Sequence, residues 1–146
     1  MQITYQLDCA DAERIVAGAV AEAQRRGARV TIALCDAGGY LLRLERLDGA
    51  NAASAEVAAA KARMAALTGR PSADQERAIN GERPALLQLA MLLNQPVAAM
   101  GGGLPLLLRG HPLGAIGVSG MTPDVDAAIA AAGVAVFDNL CTVMSR

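Results

Sequence analysis

An α+β fold, an antiparallel sheet with helices packed on it, is what this 146-residue sequence predicts. Three observations lead there. Strand-like stretches follow one another across tight turns, so they pair as antiparallel hairpins. Helical stretches stand at both ends of these hairpins, the arrangement of helices layered on an antiparallel sheet. No linker, repeat, charge block or low-complexity tract separates the pieces, so residues 1–146 read as one domain.

From Asp11 to Arg26, Ala12, Ile15, Val16, Ala19, Val20 and Ala23 recur at helical spacing, with Asp8 as N-cap and Gly27 as the stop. Val30, Ile32 and Leu34 then alternate with Thr31, Ala33 and Cys35, and since both sets are mostly non-polar this strand is covered on both faces. Asp36-Ala37-Gly38-Gly39 forms a turn and Tyr40 to Glu45 returns as the second strand. An alanine-rich helix over 51–68 ends at Gly69 with Pro71 just beyond. Ser72-Ala73-Asp74-Gln75 fits a capping box for a short helix that Asn80-Gly81 ends, and 84–93 forms another. Gln95 to Met100 reads as a short strand.

Leu104, Leu106 and Leu108 alternate along the next strand, Gly110-His111 turns, and GAIGVSG (114–120) pairs back. A missing side chain weakens a strand, so Gly114 and Gly117 imply that a ligand, a helix or another subunit lies close against this backbone. Thr122-Pro123-Asp124 reads as N-cap, first-turn proline and first-turn acid of a helix reaching about 144, with Val125, Ile129, Ala132, Val136, Leu140 and Val143 as its buried stripe.

A net charge of −1 gives no electrostatic reason to bind nucleic acid or an anionic membrane, and with two tyrosines, one phenylalanine and no tryptophan there is no base-stacking platform. Cys9, Cys35 and Cys141 are odd in number and far apart, which argues against a disulfide framework or a zinc site. The first residues carry acids where a signal peptide is basic, and no run approaches about 18 uninterrupted apolar residues, so a cytoplasmic protein is expected.

Lys61 shares a helical face with Val57, Met64, Ala65 and Thr68. Desolvated there, it could act as a base or nucleophile or hold a carboxylate; alternatively its stem packs while the ammonium reaches water, and then Lys61→Met costs under about 1 kcal/mol. Arg46, at the end of the second strand, suits a carboxylate, with Asp48 orienting it or simply making the Asp-Gly turn. Asp36 has the same ambiguity in its Asp-x-Gly-Gly turn. Gly101, Gly102 and Gly103 present backbone amides to an anion or form a flexible turn. Ser119 and Thr122 lie at the start of the last helix, where free N–H groups favour an acidic group. Arg83, in the polar Asn-Gly-Glu-Arg-Pro loop, is a further carboxylate partner. His111, the only histidine, reads as an exposed turn residue, and one histidine builds neither a Ser-His-Asp relay nor a metal cluster.

The D-x-G-G turn (36–39), R-L-D-G-A (46–50), Lys61-Ala62, GG-x-P (102–105) and G-A-I-G-V-S-G (114–120) together resemble the haem-binding and haem-degrading domain family over nearly the whole chain. That resemblance implies a profilin-like or PAS-like antiparallel sheet of about five strands flanked by helices, a lysine at position 61 in the family pattern, and dimers or higher homo-oligomers. Haem is the ligand the family name implies. With His111 in a turn, such a site would use oxygen or backbone contacts, hydrophobic enclosure or a partner subunit. The expected function is binding of haem or a related small anionic ligand. The alternatives are an enzyme of small-molecule catabolism acting on a carboxylated substrate, with Lys61 or an aspartate moving the proton, and a non-catalytic assembly subunit.

Overall fold

The computed structural model describes residues 1–144. Helix α1 (Cys9–Arg25) starts where the Asp8 carboxylate accepts from the Asp11 amide at 2.8 Å and stops before Gly27, whose φ of +64° suits a residue without a side chain. Strands β1 (Thr31–Asp36) and β2 (Leu41–Arg46) form the first hairpin. Helix α2 spans Ser54–Thr68 and α3 spans Ser72–Asn80, followed by a 3₁₀ turn at Pro84–Gln88 and the one-turn α4, Leu89–Leu92. Strands β3 (Gly103–Leu108) and β4 (His111–Ser119) form the second hairpin, and α5 (Pro123–Met144) closes the fold.

The hairpins join through β1 and β4 into one antiparallel sheet, ordered β2-β1-β4-β3. It has four strands rather than about five. Residues 95–100, read as a strand, run instead as irregular chain across α2, where the Ala98 amide donates to the Ala60 carbonyl at 3.2 Å. The chain over 84–93 likewise breaks into a 3₁₀ turn and α4. The capping box does not form either: Ser72 opens α3, but its hydroxyl accepts from the Gly103 amide at 2.8 Å and donates to the Met100 carbonyl, while Gln75 Oε1 is buried without a partner among the described residues.

The two faces of the sheet differ. Ile32, Leu34, Leu106, Ile116 and Val118 pack against Ile15 and Val16 of α1 and Ile129 and Phe137 of α5. On the other face Ala33, Cys35 and Ala115 meet Ala58, Ala62, Ala65 and Ala66 of α2. A Cβ on Gly117 would fall 2.1 Å from the Ala58 carbonyl oxygen, so the close neighbour implied by that glycine is α2. For Gly114 it is the adjacent strand, with a Cβ 2.2 Å from the Cys35 carbonyl oxygen. Helix α2 is buried from Ala58 to Ala66 all round, because the sheet covers one side and residues 94–98 cross another.

Among the described residues α5 is the one helix long and apolar enough to cross a membrane by length and composition; in the fold it lies along α1, β3 and β4. Its buried stripe is Asp126, Ile129, Ala130, Gly133 and Phe137, rotated from the expected one. At the middle of the stripe space is tight: a Cβ on Gly133 would meet Ile116 at 2.5 Å and the Ile15 carbonyl oxygen at 3.2 Å, so a residue without a side chain faces the core there.

Candidate functional site

Lys61, the glycine triplet 101–103, Ser119 and Arg46, all singled out in the sequence, lie at one end of the sheet. Lys61, in the middle of α2, is 4% exposed, and its ammonium donates to the Val118 carbonyl at 3.0 Å and to Asp126 Oδ2 at 3.1 Å. Asp126, one turn into α5 and 1% exposed, accepts the Met121 amide on its other oxygen at 2.9 Å. One ion pair therefore ties the α2 layer to the α5 layer where β4 ends, and holds the turn between β4 and α5 as well. Taking two charges out of water costs several kcal/mol each, which this geometry offsets with mutual attraction and two further hydrogen bonds.

The glycine triplet is shaped by that pair. Gly102, at φ +125°, would place a Cβ 2.6 Å from the Val118 oxygen and 3.0 Å from Lys61 Nζ; Gly103 would place one 2.3 Å from the Lys61 carbonyl oxygen. The Gly101 amide donates to Glu76 Oε2 at 3.0 Å and the Gly103 amide to Ser72, so two of the three amides expected to face an anion are bonded within the chain. Ser119, 8% exposed, lies in register with Thr31, and Thr31 with Arg46, which puts Arg46 and Ser119 at this end of the sheet and on one face.

The other candidates lie elsewhere. Asp36, at the far end of β1, accepts from the Gly38 and Tyr40 amides, each at 2.9 Å, and so closes its own turn. Asp48 and Arg83 are exposed in loops, and His111 is exposed at the first position of β4. Among the described residues no group of three or more His, Cys, Asp or Glu could hold a metal ion.

Asp126 and Arg63 were not singled out in the sequence. An acid three residues before Ile129 and seven before Gly133 sits on the buried side of α5, and a buried acid requires a cation; that signal was present once the stripe was placed correctly. Nothing in the local pattern marks Arg63 for burial, because an alanine-rich helix shows no polar side. Its burial follows from residues 94–98, which lie far away in sequence.

Two concavities open on the surface, one beside this framework and the other at the opposite end of the sheet. A groove of about 420 Å³ runs between α3 and the start of α5, with Glu76, Arg77, Asn80, Gly101 and Asp124 on its walls. A larger cleft of about 620 Å³ lies between residues 2–6 and the β3–β4 hairpin, bordered by Ile3, Tyr5, Leu108, Arg109, His111 and Leu113.

The model of the haem-degrading HbpS-like proteins matches residues 7–135. The chain belongs to this HbpS-like family. Protein GlcG of Escherichia coli K12 is 38% identical over 108 residues, 74% of this chain and 77% of that protein. Among solved structures, Klebsiella pneumoniae ORFY superposes with a TM-score of 0.86 at 26% identity, covering 94% of each chain. A PduOC–haem complex superposes with a TM-score of 0.80 at 27% identity, covering 90% of this chain and 95% of that one. The four-stranded sheet with helices on both faces is thus the architecture of an HbpS-like protein, and the Lys61–Asp126 pair is part of how this member is built.

Proposed function

We propose that this HbpS-like protein binds a small acidic ligand, haem being the first candidate, and works in the cytoplasm as a homo-oligomer. The observation that carries the reading is the 620 Å³ cleft in a chain similar to a protein crystallised with haem. Its size falls within the roughly 300–1,000 Å³ typical of small-molecule sites. Its residues fit the group: Ile3, Leu108 and Leu113 offer apolar walls, Arg109 suits a propionate, and Tyr5 and His111 are the iron donors available. Bound haem would supply an iron centre for ligand or redox chemistry.

Binding is favoured over acid–base turnover because the Lys61 ammonium is already engaged by Val118 and Asp126. In this reading Lys61, Gly102 and Gly103 build the framework, Asp36 and Asp48 shape turns, and Arg46, Arg83 and Ser119 remain as donors for a carboxylate outside the cleft. Self-association rests on exposed apolar side chains on β2 and around α4, including Leu44, Met91 and Leu92.

Haemin titration followed at the Soret band tests the binding, with a shift that saturates and a raised melting temperature as the expected result. Absence of both would remove the ligand reading and leave an assembly subunit. Tyr5 and His111 are both exposed beside the cleft; on the reading of His111 as a turn residue, Tyr5→Phe is expected to alter the Soret band and His111→Ala to leave it, and the opposite pattern assigns the iron to His111. Light scattering on the eluting protein is expected to give at least a dimer mass, and a monomer at micromolar concentration sinks the oligomer.

A further inference from the structure

We propose a second and smaller anion site, in which a small carboxylic acid binds to Arg63 in the cleft between the 36–40 turn and residues 93–95. It lies on the α2 side of the sheet, is separate from the haem cleft, and stands or falls independently of it.

Arg63 is 9% exposed, yet it takes part in none of the four ion pairs among the described residues. Its Nε donates to the Gly39 carbonyl at 3.0 Å and its Nη1 to the Pro96 carbonyl. These bonds staple two loops to α2. They do not neutralise the charge, and Nη2, with two N–H donors, makes no hydrogen bond to the described chain. Asp36, on the opposite side of the same turn, spends Oδ1 on the Gly38 and Tyr40 amides and forms no ion pair with Arg63. Nη2 is not among the fully enclosed unpartnered atoms of the described chain, so it opens onto the cleft, where a carboxylate can pair a largely buried charge that is otherwise left to water. Stapling alone would be served by a neutral donor.

The guanidinium borders a cleft of about 160 Å³ whose other walls are Gly38, Tyr40, Leu67, Leu93, Asn94 and Gln95. The Asn94 and Gln95 side-chain amides make no hydrogen bond to the described chain, so their NH₂ groups are available for a second carboxylate oxygen. Leu67 and Leu93 suit a short apolar body. The volume lies below the range of drug-sized ligand sites, which selects a small acid and excludes a porphyrin. The Arg63 stem is fixed: a Cβ on Gly39 would fall 2.6 Å from Arg63 Cγ, so the glycine admits the arginine and the two carbonyls orient its fork before any ligand arrives. A preorganised fork loses little freedom on binding.

The test is calorimetry and thermal melting of the full chain with propionate, succinate and inorganic phosphate, against propionamide as a neutral control. Saturable binding of a carboxylate, absent with propionamide, is expected; phosphate binding as tightly as either acid would overturn the carboxylate assignment. Arg63→Lys keeps the charge and loses the fork, and is expected to weaken carboxylate binding at least about tenfold. Should that variant not fold, Asn94→Asp decides. Placed on an exposed segment, it supplies an internal carboxylate, and is expected to raise the melting temperature, abolish propionate binding and leave the haemin titration unchanged. Equal propionate affinity in Asn94→Asp and the parent, or no acid binding in the parent, overturns the site.

Discussion

On one face of the sheet Ile32, Leu34, Leu106, Ile116 and Val118 stand into α1 and α5, whereas on the other Ala33, Cys35, Ala115 and Gly117 let α2 lie nearly on the strand backbone. The first face is stabilised by area: large aliphatic side chains buried at about 25 cal/mol per Å². The second has little such area and works by distance, bringing helix backbone to strand backbone. What that distance provides is placement. The buried polar and charged residues Thr31, Ser54, Lys61, Arg63, Ser72 and Ser119 lie on or beside the α2 side, and Asp126 reaches across from α5 to join them. An alanine surface leaves room for long polar stems to run beside it, while a leucine surface fills that room.

The largest effect expected from this contrast is steric. Gly117→Val has nowhere to put its side chain, with Ala58 backbone 2.1 Å and Ala62 backbone 2.6 Å from the first carbon alone, so circular dichroism should find no cooperatively folded protein. On the opposite face Leu34→Ala removes contacts without a collision and should fold with a loss of about 2–5 kcal/mol in denaturant melts. A folded Gly117→Val with a smaller loss than Leu34→Ala would mean that α2 can lift off the sheet.

Next comes the ion pair. Lys61→Met strands Asp126 in a buried site, so the loss should be about 3–5 kcal/mol. Adding Asp126→Asn removes the stranded charge while keeping an acceptor for the Met121 amide, and the double variant should regain at least about 1 kcal/mol. A loss under about 1 kcal/mol for Lys61→Met alone would show that the ammonium reaches water, as one reading of the sequence had it.

Both hairpins, α1 and the final helix were legible because each is encoded locally, by period, cap and turn residue. The D-x-G-G turn was legible for the same reason: Asp36 bonds amides two and four residues on. What was not legible is whatever depends on a neighbour distant in sequence. Ser72 carries a good local capping signal, yet its hydroxyl goes to Met100 and Gly103, 28 and 31 residues away. The segment 95–100 has strand-like composition but finds a helix rather than a strand edge beside it. Lys61 was noticed through its helical neighbours, but its partner is 65 residues on, and only the fold joins them.

Ser72 gives the intermediate effect. Ser72→Ala strands the Gly103 amide at the point where the glycine turn meets α3, which should cost about 1–3 kcal/mol in chemical denaturation. An unchanged midpoint would show that the turn is held by packing on Lys61 alone.

The smallest effect at neutral pH concerns Cys35, on the α2 face beneath Ala62, Ala65 and Ala66. Burial pushes its thiol from the ordinary 9.0 up to about 12, with the nearby Asp36 charge acting in the same direction. The unfolded chain releases this proton near pH 9 and the native chain keeps it to about pH 12. Through that window the native state holds the extra proton, so the thiol's contribution is intact below pH 9 and stability falls as pH rises. Cys35→Ala should change stability by only about 1 kcal/mol at pH 7 and flatten this alkaline decline relative to the parent, both read from denaturant melts at a series of pH values. Thiol labelling checks the same burial kinetically: exposed Cys9 should react at once, and Cys35 only at the rate of opening. Equal labelling of the two at neutral pH would mean that the small-residue face opens readily, and the contrast between the two faces would then be one of dynamics as well as of packing.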